Sequence, residues 1–350
     1  MNYDDAGFVL AFSALIPVLG LGLGLLAGLR KPQLPAVLIA CAALLLMWLL
    51  FGARAVLGAD ASLSLSIYYG LIFSLTAVQL SPILPRGPRA QTTGWVAFVI
   101  VWALLAQLAI AAWTLNLVDG WLVASLGLLD FGGSSMLFIA TAAAGLACLL
   151  VQRSRGPIIA VATPRRAVAT IIPLWLGFFA LNVGSEAVPD EIAVDAAVNT
   201  LLAPLGGVVA WVVVERIRHH RVSIGGAVRG IFAGLVAVTP AADVLSPFWA
   251  CMLGLAAGAV AAALAGPRGS VLGLLLTQLS AAALGCVFIG ILGDGVGGLI
   301  TGSWAQLGTQ LFSIAVVAGF AFLAAGVVAL TVGRVMVGAG RSRETPEPVG

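Results

Sequence analysis

The stretch from Asp130 to Ile139 reads DFGGSSMLFI and joins an acidic, glycine-containing turn to an apolar run that continues to position 151. A carboxylate just before a helix accepts hydrogen bonds from the free backbone amides of the first turn. It also meets the positive end of the helix dipole. The stretch therefore predicts a helix over 131–151 whose first turn is capped by Asp130.

The rest of the chain has the same apolar character. Hydrophobic residues make up 61% of the 350 residues and charged residues 9%, and the mean hydropathy is +1.12, which excludes an ordinary soluble domain. Membrane helices need about 20 apolar residues each. We predict eleven spans, near 6–28, 34–56, 64–84, 93–115, 131–151, 167–185, 192–214, 223–241, 246–265, 269–292 and 305–336. Residues 1–337 would form one transmembrane domain, followed by a short polar cytoplasmic tail, 338–350.

The charges alternate between the segments that connect these spans. Fifteen of the 17 Lys and Arg residues lie in every second segment, while most acidic residues lie in the others. Because Lys and Arg collect in short cytoplasmic loops, the N-terminus is expected outside and the C-terminus inside. The chain is then a multi-pass protein of the inner (plasma) membrane. The basic positions are Arg30, Lys31, Arg86, Arg89, Arg153, Arg155, Arg165, Arg166, Arg216, Arg218, Arg221, Arg268, Arg334, Arg341 and Arg343.

The order of the spans allows an internal repeat. Spans 1–5 and 6–10 start on opposite sides of the membrane, since five is odd, and this layout can hold an inverted repeat with a two-fold axis in the membrane plane. Span 11 would be an extra helix outside the pair. The 43 glycines favour close helix packing, which holds membrane helices together.

Four motifs, taken in order and spacing, resemble the ammonium transporter / Rhesus family. The resemblance runs over nearly the whole chain and agrees with the count of eleven spans. It implies a homotrimer with one narrow pore per subunit, which passes ammonium, ammonia or another small solute. The motifs are Asp130 to Ile139, Phe179 to Ser185, Val198-Asn199-Thr200 and the Thr239-Pro240 break in span 8.

The resemblance also implies where the pore residues lie. The two pore histidines of the family map to Phe138 and Gln278, and its two gate phenylalanines map to Ile72 and Leu181. The tryptophan of its outer recruitment site maps near Val118. Three positions keep the family residue and are expected to support the pore: Asp130, Asn182 and Ser185.

These replacements change the chemistry that the pore can perform. Paired imidazoles can bind a desolvated amine and exchange a proton near neutral pH, but Phe138 can do neither, and the amide of Gln278 does not titrate near pH 7. The two histidines of the chain, His219 and His220, lie in a basic loop, where we expect them to be solvated. The sequence therefore predicts an altered substrate or a neutral species, without a proton relay.

Each candidate residue also has a purely structural interpretation. In this interpretation Asp130 is a helix cap and has no contact with a solute, and Phe138 fills the core of the bundle. Gln278 can make a plain interhelical hydrogen bond, and Ser185 can bond back to its own helix. Arg229, two turns into span 8, either extends its charge to the interface or places it at the inner end of the pore.

Two other functions remain open: a non-conducting receptor or scaffold with the same fold, and an enzyme that reuses the pore, for which Asp130 and Arg229 are the clear titratable candidates. We do not expect an enzyme. We expect membrane lipid and a small solute as partners, with no nucleic acid, cofactor or metal, because the four cysteines are scattered through apolar runs. Family members are often controlled by a nitrogen-regulatory signal protein, but the short tail lacks the contact stretch, so this partner is not expected.

Overall fold

The structure, a computed structural model, describes residues 3–84, 89–152, 164–265 and 270–338, and these residues form helices and no β-strand. Within them, ten helices are long and apolar enough to cross a membrane, and a further apolar helix, α5, is shorter. The helices are α1 (Asp5–Leu26), α2 (Lys31–Leu57), α3 (Leu63–Ile83), α4 (Thr92–Leu115), α5 (Ser135–Val151), α6 (Arg165–Gly184), α7 (Glu191–His219), α8 (Ile224–Ala241), α9 (Pro247–Ala265), α10 (Val271–Leu292) and α11 (Ala305–Val332).

Each predicted span coincides with one of these helices, and most ends agree within three residues. Three ends differ by more, although α11, whose apolar part ends at Val332, continues as a helix to Gly338. Helix α5 begins at Ser135 and not at 131, because residues 130–134 form the capping turn described below. Helix α7 continues to His219, where His220 adopts a left-handed conformation with φ of 53° and ends it. The count of eleven spans and the N-out orientation stay predictions.

Some sequence predictions fall outside the described residues. Arg86, Arg153, Arg155 and Arg268 lie there. So does the tail from 339 onward, with Arg341 and Arg343, whereas the last helix itself extends from Ala305 to Gly338.

Glycines bring three helices into backbone contact. A Cβ atom on Gly207 of α7 would lie 2.2 Å from the carbonyl oxygen of Gly230 in α8, and one on Gly258 of α9 would lie 2.3 Å from that of Gly207. Such distances exclude any side chain. Helices α7, α8 and α9 therefore pack through small residues, as membrane helices do when no hydrophobic drive brings them together.

The other contacts place the predicted pore residues in the middle of the bundle. Helix α5 contacts α3, α10 and α11, while α8 contacts α6 and α10. Phe138 and Gln278, on α5 and α10, are both almost fully buried. The segments before α5 and after α8 meet at one end of this core.

Candidate functional site

Asp130 caps α5 as the sequence predicts. Its two carboxylate oxygens accept hydrogen bonds from the backbone amides of Ser134 and Ser135, both at 2.7 Å. These are amides of the first helical turn, which have no carbonyl partner within the helix. Residues 131–134 therefore belong to the capping turn, and this explains why the helix begins later than predicted.

The turn is also tied to the end of α8. The amide of Phe131 donates to the carbonyl of Pro240 at 3.1 Å, and that of Gly132 to the carbonyl of Thr239 at 3.0 Å. A Cβ atom on Gly132 would lie 2.5 Å from Thr239 Cγ2 and 3.0 Å from Asn182 Oδ1. Only glycine fits at this position. We call the contact between residues 130–135, Asn182 and Thr239-Pro240 the outer knot.

Two asparagines extend the outer knot to the neighbouring helices. Asn182 donates to Thr200 Oγ1 at 2.9 Å, and Asn199 donates to the carbonyls of Ala242 and Leu245 at 2.9 and 2.6 Å. Both asparagines are fully buried. The four sequence motifs therefore meet at one place, which gives a physical reason for their joint presence.

Ser185 and Leu181 are joined by a tyrosine that the sequence analysis missed. Ser185 bonds back to its own helix, donating to the carbonyl of Leu181 at 2.7 Å. The hydroxyl of Tyr68 on α3 donates to the same carbonyl at 2.6 Å. Tyr68 could have been identified from the sequence, because it lies inside an apolar span and a buried hydroxyl usually has a hydrogen-bond partner. Ile72 lies one turn along α3 from Tyr68 and is buried in the core.

Phe138 is stacked between helices. Its ring lies parallel to that of Phe178 on α6, with 5.4 Å between centroids and an angle of 12°. Phe178 in turn contacts Phe232 of α8 edge to face at 6.2 Å. All three are buried, with exposures of 0%, 0% and 1%. Phe178 and Phe232 were not predicted from the sequence. Phe178 stands one turn before Asn182, and this spacing could have indicated it.

Gln278 holds the backbone beside Phe138. Its side-chain amide donates to the carbonyl of Phe138 at 3.1 Å and to Thr141 Oγ1 at 2.7 Å. Helix α5 begins with a π-helical turn over Ser135–Ile139, and such turns displace the regular backbone bonds. The structure thus confirms an interhelical hydrogen bond for Gln278. An amide nitrogen carries two hydrogens, and both are used here, so the nitrogen of Gln278 has no hydrogen left to donate to a solute.

A second polar contact beside α5 was not predicted. Gln107 of α4 donates to Thr76 Oγ1 of α3, and Gln79, one turn along α3, points its amide toward the carbonyl of Leu137 at 3.5 Å. All three side chains are buried. They join α3, α4 and α5, so the π-helical turn receives polar side chains from two helices, Gln79 from α3 and Gln278 from α10.

Three carboxyl groups near the outer knot hold their protons more tightly than usual. Burial raises the pKa of Asp130 to about 6, although the amides of Ser135 and Ser134 oppose the shift. Burial also raises the pKa of Asp243 to about 6. Burial, followed by the nearby Asp190 and Asp243, raises the pKa of Glu186 to about 7. The negative charge of this end of the molecule therefore decreases between pH 8 and pH 5.

Arg229 lies at the other end of α8. It is half-buried and interacts with the charge of Glu215 on α7. Ten residues separate it from Thr239, which corresponds to roughly 15 Å along a helix, so Arg229 and Asp130 do not form one site. Within the described ranges, no three His, Cys, Asp or Glu side chains are grouped to hold a metal ion.

Comparisons with known proteins agree with this fold. The model of the Ammonium Transporter Family matches residues 11–344. An ammonium transporter of Bacillus subtilis is 34% identical over an alignment that covers 54% of this chain and 48% of that protein. Ammonium transporter Amt1 of Archaeoglobus fulgidus is 28% identical, with 95% of this chain and 93% of that protein covered. The chain spans about half the length of this Bacillus subtilis protein and of several further curated relatives that it matches.

Solved structures share the architecture. The crystal structure of Saccharomyces cerevisiae Mep2 superposes with a TM-score of 0.84 at 21% identity, covering 95% of this chain and 85% of that chain. At this level of identity the likeness concerns the fold. The helical bundle described above is therefore the fold of these solved membrane proteins.

Proposed function

Because the chain belongs to the ammonium transporter family, we propose that it is a membrane channel that passes small neutral molecules, ammonia first among them, through a path in each subunit. The observation that carries the proposal is the pair Phe138 and Gln278 in the buried centre of the bundle, where the side-chain amide of Gln278 donates to the backbone carbonyl of Phe138. This pair replaces the titratable groups that the resemblance leads one to expect there.

Passage of the ammonium ion itself is disfavoured at this layer. An ion that leaves water loses many kcal/mol of hydration unless polar groups replace it. Here Phe178 covers one face of the Phe138 ring, so only the other face is open to a cation–π contact. Ammonium can only donate hydrogen bonds, and because the amide nitrogen of Gln278 is bound to α5, this side chain offers the ion a single neutral acceptor, its amide oxygen. A compact neutral molecule avoids this cost.

A proton relay through histidine is also not possible in the spans, because the two histidines of the chain are His219 and His220. The former ends α7, and the latter follows it outside the helix. The outer carboxyl groups Asp130, Glu186 and Asp243 would attract ammonium to the entrance. The proton would then be left outside, and ammonia would enter the path lined by Ile72, Leu181, Asn182 and Ser185.

The rest of the proposed architecture follows the charge distribution and the family. We infer eleven spans with the N-terminus outside and the C-terminus inside, a 5+5 inverted repeat of α1–α5 and α6–α10, and α11 packed beside α5. Residues 1–337 are the membrane domain and 338–350 the cytoplasmic tail. The protein is proposed to be a homotrimer in the plasma membrane, without enzymatic activity.

Ammonia flux into proteoliposomes tests the function. A pH-sensitive dye inside the vesicles reports alkalinisation after an ammonium chloride pulse in a stopped-flow instrument. We expect the protein to increase the rate over that of empty liposomes. Phe138→Ala should increase it further, because it removes the buried ring. Phe312→Ala, which removes an exposed ring on α11, should match the unchanged protein.

A second candidate, a non-conducting scaffold, is favoured by one observation. The rings of Phe138, Phe178 and Phe232 are fully buried, so a solute passes only if the Phe138 ring moves. The same flux measurement separates the two functions. Rates equal to those of empty liposomes for both the unchanged protein and Phe138→Ala would overturn the channel proposal.

A further inference from the structure

An apolar groove opens on the outside of the bundle between α1, α2 and α3. Its volume is about 510 Å³, within the roughly 300–1,000 Å³ typical of ligand sites. All three helices contribute residues to its walls. The side chains that define it are Leu21, Leu25, Leu38, Leu45, Leu75 and Val78.

One end of the groove is positively charged. Arg30 and Lys31 line it, and both side chains are exposed. A third cation stands beside them, because Arg166 of α6 donates to the carbonyl of Leu29 at 2.8 Å, and Leu29 also lines the groove. Arg30 and Lys31 at the junction of α1 and α2, together with Arg166 of α6, therefore place three positive charges at the mouth of the apolar groove.

The length of the groove corresponds to one leaflet. Its apolar lining on α2 extends from Leu34 to Leu45, which is roughly 16 Å at the helical rise of 1.5 Å per residue. Half of a hydrocarbon core of about 30 Å is about 15 Å. A chain that begins at the charged mouth would thus end near the middle of the membrane.

Glycines keep the groove open. Gly20 and Gly24 of α1 face it, and a Cβ atom on Gly24 would lie 3.4 Å from Leu29 Cδ2 and 3.9 Å from Val78 Cγ1. A Cβ atom at these distances makes ordinary van der Waals contacts. A side chain larger than alanine at position 24 would therefore extend into the groove and fill it. The hydroxyl of Ser74 donates to the carbonyl of Leu71 at 2.7 Å, which leaves the wall without a hydrogen to donate there.

We propose that this groove binds an anionic phospholipid, with one acyl chain along α1–α3 and the phosphate at Arg30 and Lys31. Basic pockets between membrane helices recognise anionic headgroups in this way. The apolar walls contribute the rest of the binding through van der Waals packing along the acyl chain, since inside a membrane no hydrophobic drive adds to it. A free phosphate would use the cations and leave the walls unused.

Native mass spectrometry of the full-length protein in detergent tests the site. Phosphatidylglycerol and phosphatidylcholine with identical acyl chains are titrated, and bound lipids are counted on the intact oligomer. We expect phosphatidylglycerol to bind at least tenfold more tightly than phosphatidylcholine. Arg30→Gln with Lys31→Gln should abolish this preference. The matched pair Arg216→Gln with Arg221→Gln, which removes two other exposed cations, should keep it.

A second variant separates the acyl chain from the charge. Gly24→Leu should weaken the binding of both lipids, while Gly326→Leu, which adds the same side chain to open space on α11, should leave it unchanged. Equal phosphatidylglycerol binding in the unchanged protein and the Arg30→Gln/Lys31→Gln variant would overturn the proposal. Displacement of the lipid by millimolar inorganic phosphate would do the same. So would a Gly24→Leu variant with altered oligomer mass and normal lipid binding, which would mean that a second copy of this chain fills the groove.

Discussion

The outer knot is connected through the start of α5 to the Phe138 layer, formed by Phe138, Phe178 and Gln278, with fewer than three turns between Asp130 and Phe138, yet different forces determine the residues of the two regions. In the outer knot, backbone amides of residues 131–135 bind Asp130, Thr239 and Pro240. In the Phe138 layer, the contacts are between side chains, or from the side chain of Gln278 to the backbone. The comparison teaches that the outer knot specifies the fold, whereas the Phe138 layer can change its chemistry without a change of fold.

The strongest test of this difference is Gly132→Ala. The added methyl group would meet Thr239 Cγ2 at 2.5 Å and the carbonyl of Thr239 at 2.9 Å, and overpacking of this kind costs about 3 kcal/mol. We expect loss of the folded oligomer in detergent, measured by size-exclusion chromatography and thermal melting. Gly308→Ala, which meets no atom within 4 Å, is the control. Equal melting temperatures for the two variants would show that the outer knot can accommodate the added methyl group.

Removal of the cap is the next largest effect. Asp130→Ala leaves the amides of Ser134 and Ser135 without their acceptors, and bonds to charged groups contribute about 1.5–3 kcal/mol each. Since water replaces part of this, we expect a loss of about 2–3 kcal/mol. Asp130→Asn keeps one acceptor oxygen, and its stability should lie between those of the unchanged protein and Asp130→Ala. The exposed Asp294→Ala is the control in the same melting assay.

A change in the Phe138 layer should be milder. Gln278→Met removes the donor to Phe138 and Thr141, and hydrogen bonds between membrane helices contribute about 0.6–1.7 kcal/mol. We therefore expect a folded protein with a melting temperature lowered by a few degrees at most. Leu279→Met on the same helix controls for the new side chain. Complete loss of folding in Gln278→Met alone would contradict the difference between the two regions.

The smallest expected effect is a pH dependence near the outer knot. Burial raises the pKa of Asp243 to about 6, so the folded protein binds this proton more tightly than the unfolded chain. The contribution to stability is complete below the ordinary pKa of about 4 and is lost as the pH rises through about 6. Asp243→Asn should reduce the loss of stability between pH 5 and pH 8 by about 1 kcal/mol, a value lowered for partial exposure. An unchanged pH profile of melting would contradict this assignment.

Much of the fold could be predicted from the sequence, for a physical reason. Apolar runs of membrane length and the alternation of Arg with acidic residues are local patterns, and the helices follow them closely. The start of α5 was predicted four residues early because Phe131 continues the apolar run. Its amide, however, bonds to Pro240, a partner more than a hundred residues away, and no local pattern reports such a contact.

The candidate site was less accessible to sequence reasoning. The meeting of Phe138 and Gln278 was indicated by the family resemblance, and the structure places them in contact. Tyr68, Phe178 and Phe232 were missed, since each looks like an ordinary residue of an apolar span. Their importance comes from packing across helices, which depends on the rotation of each helix and not on its composition. The pore roles of all these residues stay predictions.

The most direct test of the central claim is the current that ammonium produces on a solid-supported membrane carrying proteoliposomes. We expect no saturable current for the unchanged protein, because the layer of Phe138 and Gln278 transfers no charge. We expect a current for the double variant Phe138→His with Gln278→His, which introduces two titratable groups on the same scaffold. A saturable ammonium current in the unchanged protein, absent from empty liposomes, would contradict the account.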